Sequence, residues 1–270
     1  TGMTVQFLFP EGKRQALTFS YDDAQIHDRR LVDIFNQTGM KATFHLNSAM
    51  LGQPGYITRE EVKALYEGHE VACHGVTHPY FNQLSVTQTM REVYEDRREL
   101  ERCSGGIVQG MSYPFGEYNE ELIRTAKDAG IVYSRTVEGT MNFNLPSDFM
   151  RWHPTCHHGG VTEALLDEFL NPPMYRSLSL LYIWGHSYEF AQDDSWSHIN
   201  DICNRLQGRE DVWYATNMEI YAYVTAMRSL VISVEGDILY NPSAVTLYVR
   251  AGGQKLALGA GERKKLDAAL

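Results

Sequence analysis

Residues 16–24, ALTFSYDDA, decide how this chain is read. A run of apolar, β-branched and aromatic residues ends abruptly in two adjacent carboxylates, Asp22 and Asp23, and a helical pattern follows near Asp28–Gln37. That is the local grammar of a β-α unit, and the rim formed by the C-terminal ends of parallel strands is where such folds build their sites. The grammar recurs in residues 70–79, EVACHGVTHP, where a strand-like run delivers His74 and His78. Taken alone, the two acids also read as an Asx turn or a helix cap, which short acidic residues favour. The two His change that balance: spaced four apart and closed by Pro79, they are expected on one face of a single turn, close enough to share an ion. One carboxylate and two imidazoles suit Zn²⁺, with Co²⁺, Ni²⁺ or Mn²⁺ as alternatives, and three protein ligands leave a position open for water or substrate. The other carboxylate remains free to act as a base.

Outward from these stretches, strand-like and helical patterns alternate, and the helical ones tend to stop at a Gly, as in NQTGMKATFHL, LYEGHEVACHG, DAGIVYS and LQGREDVWYA. A Gly just past a helix takes the left-handed conformation that ends it. The longest helix is expected after Leu84, with Ser85 and Gln88 in capping-box spacing and a mostly solvated charged face. Further helices are expected near Arg59–Glu67, Asn119–Ala129 and Asp193–Gln207. Strands are expected near Ala16–Tyr21, Lys41–Leu46, Glu70–Cys73, Gly106–Met111, Ile131–Ser134 and Leu178–Trp184. The alternation predicts an α/β fold, a distorted (β/α) barrel over residues 1–228. From residue 229 to 270 the pattern turns to period-two alternation broken by EGD, NPS and AGGQ, which predicts a small antiparallel β appendage.

Composition excludes several classes. The chain has 270 residues, 43% hydrophobic and 21% charged, so it can bury a full core and is neither disordered nor fibrous. A net charge of -10 argues against nucleic acid and anionic membranes as partners, since phosphate neutralisation needs clustered Lys and Arg. No apolar run is long enough to span a bilayer, and the visible N-terminus lacks the basic-then-apolar order of a signal peptide, which favours the cytoplasm unless a signal has been removed. Cys73, Cys103, Cys156 and Cys203 lie far apart and are expected as free thiols.

The order F-S-Y-D-D-A, H-G-V-T-H-P, S-Y-P-F-G-E-Y-N and W-G-H resembles the polysaccharide deacetylases of carbohydrate esterase family four, over roughly Ala16 to His186 with a similar tail to about Met227. The resemblance implies Asp22 as general base, Asp23, His74 and His78 as metal ligands, the backbone N–H of Phe115 as oxyanion donor and His186 as catalytic acid. It implies a groove lined by Tyr113 and Pro114, to which Trp152 and Trp184 are added as candidates. It also implies a hydrolase that removes acetyl groups, N-acetyl before O-acetyl, from an oligo- or polysaccharide.

Three positions depart from the family pattern: Ala24 where Gly is usual, Gly75 where Ser or Thr is usual, and Ser112 where an Arg usually pairs with the catalytic Asp. Arg135, at the end of another expected strand, is the candidate to replace that Arg, with a surface ion pair to Glu138 as the plain alternative. His186 needs an acid behind it to become imidazolium, and Glu189, Asp148 and Glu138 are the candidates. His153, His157 and His158 read as structural or substrate-lining. Two rival functions stay open: an amidohydrolase acting on a non-sugar amide or ureide, and a carbohydrate-binding protein whose centre has decayed. Oligomeric state is not legible.

Overall fold

The computed structural model describes residues 2–176 and 178–267. In chain order its elements are β1 (Val5–Leu8), β2 (Gln15–Asp22), α1 (Asp28–Thr38), β3 (Ala42–Leu46), α2 (Val62–Leu65), β4 (Glu70–Cys73), α3 (Val86–Ser104), β5 (Gly110–Ser112), α4 (Glu120–Asp128) and β6 (Tyr133–Arg135). Then follow β7 (Cys156–His157), α5 (Glu163–Leu170), β8 (Ser179–Gly185), α6 (Ser187–Gln192), α7 (Trp196–Leu206), β9 (Val212–Tyr214) and α8 (Asn217–Arg228). The chain closes with β10 (Val231–Ile232), β11 (Ile238–Tyr240), β12 (Leu247–Ala251), β13 (Gln254–Leu258) and β14 (Arg263–Lys265).

The expected α/β barrel is present as a curled parallel sheet in the order β6-β5-β4-β3-β2-β8-β7. β2 is its axis, with every residue buried. Strands covered on both faces read as near-continuous apolar runs, which is why this one was legible. β8 runs beside β2 throughout, while β9 pairs with its first residues and β3 with its last. Between the edge strands the ring is closed by irregular chain: Trp152 bridges to Arg135 on β6, and Thr155 N–H donates to Tyr182 O of β8 at 2.9 Å. No described helix is long and apolar enough to cross a membrane, and all four cysteines are free.

Ser85 and Gln88 form the expected capping box of α3, and Gly39 and Gly105 close α1 and α3 at φ 73° and 76°. The strand expected over Gly106–Met111 is confined to Gly110–Ser112, and the helix expected over Arg59–Glu67 is a single turn. β7 has only two residues, too few for alternation to show in sequence. The described residues beyond 229, up to 267, form antiparallel β as expected, but they are joined by the other end of the chain. β1 pairs with β12 in a sheet β1-β12-β13, beside a second sheet β10-β11-β14. Leu247 of β12 is buried in the same cluster as Phe9, Trp152 and Tyr223, so the appendage shares apolar surface with the barrel.

One buried carboxyl ties three helices together. Asp28, the first residue of α1, accepts from Tyr66 Oη just past α2 and from Ser187 Oγ at the start of α6, each at 2.6 Å. Burial pushes its pKa up to about 7, the two hydrogen bonds notwithstanding. Because the folded value lies above the unfolded one, the folded state holds the extra proton. Stability therefore falls as pH rises from about 4 and levels off above the folded value. In Asp28→Asn that loss should vanish, so melting curves of the two proteins should diverge between pH 5 and 8 in favour of the variant. Parallel curves across that range would show that Asp28 is ionised in the fold.

Candidate active site

Asp22, His74, Ser112, Arg135, His157 and His186 all lie at or just beyond the C-terminal ends of parallel strands. The rim around them opens into a cavity of about 790 Å³ whose lining includes Asp22, Asp23, His74, His78, Tyr113, Phe115, Trp184, His186 and Tyr188.

The turn after β2 separates the two acids. Asp23 and Ala24 have φ 87° and 59°, so the chain reverses over two left-handed residues and the adjacent carboxylates face different partners. Left-handed backbone at Ala24 also gives a reason for Gly as the usual residue there.

Asp22 is 3% exposed and bound from below. Arg135, fully buried, forms a fork on it, Nη1 to Oδ1 at 2.9 Å and Nη2 to Oδ2 at 2.5 Å, while Ser112 Oγ donates to Oδ1 at 3.0 Å. Ser112 and Arg135 are register partners on β5 and β6, so the cation stands one strand over from the position the family pattern gives its Arg. The rest of the guanidinium is used as well: Nη1 reaches Ser20 Oγ at 2.5 Å, Nε donates to Thr136 O at 3.0 Å, and the Trp184 ring covers the group at 4.6 Å. Burial alone would raise the carboxyl pKa of Asp22, but Arg135 holds it well below the usual carboxylate range.

Asp23 Oδ1 faces His74 Nε2 at 3.3 Å and His78 Nε2 at 3.4 Å. The helical turn that their spacing predicts is not formed. Gly75 and His78 both have positive φ, 82° and 58°, which no helix accommodates, and the segment is a loop. The rings still meet, 4.7 Å apart. A Cβ on Gly75 would come within 2.8 Å of the Pro79 ring, so the Ser or Thr of the family pattern does not fit this loop. Other bonds hold it: Asn47 Nδ2 donates to His74 O and Gly75 O at 2.6 and 3.0 Å, and Thr77 Oγ1 donates to Glu92 at 2.7 Å. His74 N–H donates to Asp96 Oδ2 at 3.0 Å.

These three side chains fit a divalent ion. Asp23 Oδ1 is buried with no hydrogen-bond partner among the described residues, an arrangement that costs free energy unless something cationic fills the gap. His74 Nδ1 donates to Ser112 O at 2.9 Å, which leaves a lone pair on Nε2, the usual orientation for a ligating imidazole.

Across the cavity, His186 Nε2 lies 3.6 Å from Asp23 Oδ2. Its Nδ1 bonds Glu189 Oε1 at 2.9 Å, so of the three acids considered Glu189 stands behind it. Asp148 pairs instead with Arg151, and Glu138 with Tyr118 and His153. Burial pulls the His186 pKa down, but the Glu189 bond together with the charges of Asp22, Asp23 and Glu189 outweighs it, and the net direction is up.

Phe115 has φ 59° within Pro114–Gly116 and stacks on Tyr80 with ring centroids 3.9 Å apart. Trp184 and Tyr113 line the cavity; Pro114, though buried beside it, does not. Trp152 is corrected: it is 1% exposed, packed among Tyr133, Phe149 and Tyr182, and forms no groove wall.

Sequence reasoning missed Ser112 as a partner of Asp22, Tyr188 as a lining residue and Asp96 altogether. Asp96 left a signal: it falls on the buried stripe of α3 with Thr89, Val93 and Leu100 rather than on the solvated face.

Residues 10–134 match the family model described as polysaccharide deacetylase. The matched residues stop one short of Arg135 and well before His186. Among curated relatives, a chitooligosaccharide deacetylase from Sinorhizobium fredii is 26% identical over 116 residues, 43% of this chain and 53% of that protein. The chain spans about half the length or less of such relatives. In fold it is similar to a chain from Mycobacterium smegmatis, with TM-score 0.62 and 16% identity over 83% of this chain and 95% of that one. It is similar as well to the Xyl-CE4 domain of a multidomain xylanase from the hindgut metagenome of Trinervitermes trinervoides, with TM-score 0.55 and 16% identity over 79% and 92%.

Removing Arg135 should expose how much rests on it. Arg135→Gln leaves a buried carboxylate without its cation, a loss of about 3–5 kcal/mol for pairs of this kind. The native pair contributes fully above the unfolded carboxyl pKa, about 3.9, and its contribution is lost as pH falls through the depressed folded value. The stability gap in urea, measured with chelator present, should therefore be widest at neutral pH and narrow toward acid. A gap that grows on acidification would contradict the charge pair.

Proposed function

We propose that the protein hydrolyses acetyl groups from a carbohydrate, N-acetyl in preference to O-acetyl. The observation that carries this reading is the juxtaposition of an Arg-clamped carboxylate, Asp22, with a ligand trio and an acid-backed imidazole, His186, around one cavity. Asp23, His74 and His78 would hold one divalent ion, Zn²⁺ by ligand type. When bound, such an ion polarises the acetyl carbonyl and makes water a stronger acid.

The chain's own residues supply the rest. Asp22, kept ionised by Arg135, accepts the proton of the attacking water, and the clamp limits its motion while it does so. The backbone N–H of Phe115, at the cavity wall, donates to the carbonyl oxygen as it becomes an oxyanion. His186, doubly protonated with Nδ1–H held by Glu189, gives its Nε2 proton to the departing nitrogen. An amine expelled unprotonated is a very poor leaving group, so that step is required for an amide and less so for an ester. The cavity's aromatic side chains, Tyr56, Phe115, Trp184 and Tyr188, offer faces for sugar rings.

Two measurements test this. Acetate release should be seen with zinc-loaded protein on a panel of acetylated chitooligosaccharides and acetylated xylo-oligosaccharides. No release from any of them, with cleavage of a cyclic ureide instead, would move the chain to the rival amidohydrolase reading. In the same assay His186→Ala should lose about 10²–10⁴-fold on amides with metal content intact.

The roles of the two acids separate by metal analysis. Asp22→Asn should abolish most turnover with metal content nearly unchanged, whereas Asp23→Asn should weaken metal binding as well. The reverse pattern would exchange their assignments.

A further inference from the structure

We infer that His157 is a positioning residue for His186, acting through Glu189; this rests on reading His186 as the leaving-group acid. His157 ends β7 in register with Trp184 on β8 and does not line the cavity, so it touches neither substrate nor reacting atoms. Its Nδ1 accepts the Gly159 N–H at 3.0 Å. A nitrogen that accepts carries no proton, so the ring's single proton sits on Nε2. That Nε2–H points at both oxygens of Glu189, 2.9 Å from Oε1 and 3.0 Å from Oε2. Glu189 Oε1 also accepts from His186 twice, from the backbone N–H at 2.7 Å and from Nδ1 at 2.9 Å.

Glu189 is thus held by two residues, by an imidazole of fixed tautomer and by the residue it orients. Without His157 the carboxylate would rest only on a short helix, α6, with its side chain 25% exposed. Rotation of Glu189 would release His186 Nδ1, and with it the direction of Nε2 toward the cavity. The ring has a packing partner as well, the edge of Trp184 at 5.0 Å. His157, His158 and Glu189 also lie close enough to one another to suit a second metal ion. Both nitrogens of His157 are already committed in hydrogen bonds, and the cluster is a hydrogen-bonded one.

The test separates positioning from mere packing. His157→Gln keeps an N–H donor where Nε2 was, and His157→Phe keeps the ring bulk without a donor. Each is compared with wild type and His186→Ala on an acetylated chitooligosaccharide, whose amine must be protonated, and on para-nitrophenyl acetate, whose leaving group needs no acid. His157→Phe should lower kcat on the amide by about tenfold to hundredfold, as supporting residues typically do, with KM, metal content and the ester rate little changed. His157→Gln should recover most of the loss. Equal loss on both substrates, no loss on the amide, or no rescue by Gln would overturn the inference. If His186→Ala spares the amide, it is the reading of His186 that fails. A second readout does not depend on turnover: in proton–nitrogen correlation spectra the His186 Nδ1–H should be low-field and slow to exchange in wild type and His157→Gln, and lost to exchange in His157→Phe. An unchanged signal in all three proteins would equally refute it.

Discussion

The buried ion pair between Arg135 and Asp22 is the constraint on which the rest of the site depends. Taking a guanidinium and a carboxylate out of water costs several kcal/mol per ion, and their attraction offsets that only if the remaining donors and acceptors are satisfied. The neighbourhood is built to satisfy them. Ser112 Oγ completes Asp22, while Ser20 Oγ and the Thr136 carbonyl accept from Nη1 and Nε of the guanidinium. His45 joins from below, its Nε2 2.8 Å from Ser20 Oγ, and burial pushes its pKa down to about 3, so it adds no charge to the cluster. Only a curled sheet brings β6 near enough to β2 for an Arg on one to fork onto an Asp on the other.

Second supports radiate from α3 and α6. Asp96, fully buried, accepts from the backbone N–H groups of Ser48 and His74, so one helix residue fixes two rim loops at once. Burial pushes its pKa up to about 6, and ionised at neutral pH it makes stronger bonds to these amides. Glu189 plays the corresponding part for His186. Asp96 acts on backbone and Glu189 on backbone and side chains alike, which places both among the parts of the structure that hold the rim groups in position.

The rim positions of Asp22, Asp23, His74 and His186 were readable because each falls at or just past the end of an apolar strand, and residues at strand ends share a rim whatever the details of the loops. The loops themselves were not readable. His74 and His78 were placed on a helical turn by spacing alone, and positive φ at Gly75 and His78 made a loop instead. Nothing local in the sequence separates Trp152, which fills the gap between the two edges of the sheet, from an aromatic residue that lines a groove. Exposure of an aromatic is decided by neighbours remote in sequence.

By itself the sequence determined the alternation of strands and helices, the strand-end positions of Asp22, Asp23, His74, Arg135 and His186, and the antiparallel character of the final forty or so residues. These follow from local periodicity and capping chemistry, which act within a few residues. Only the tertiary structure decided that Arg135 forks onto Asp22 over a separation of 113 residues, that Glu189 rather than Asp148 or Glu138 backs His186, and that β1 joins β12 across the length of the chain. Those pairings depend on how the sheet curls and on which buried charges find partners, quantities that belong to the whole fold and leave no short-range mark on the chain.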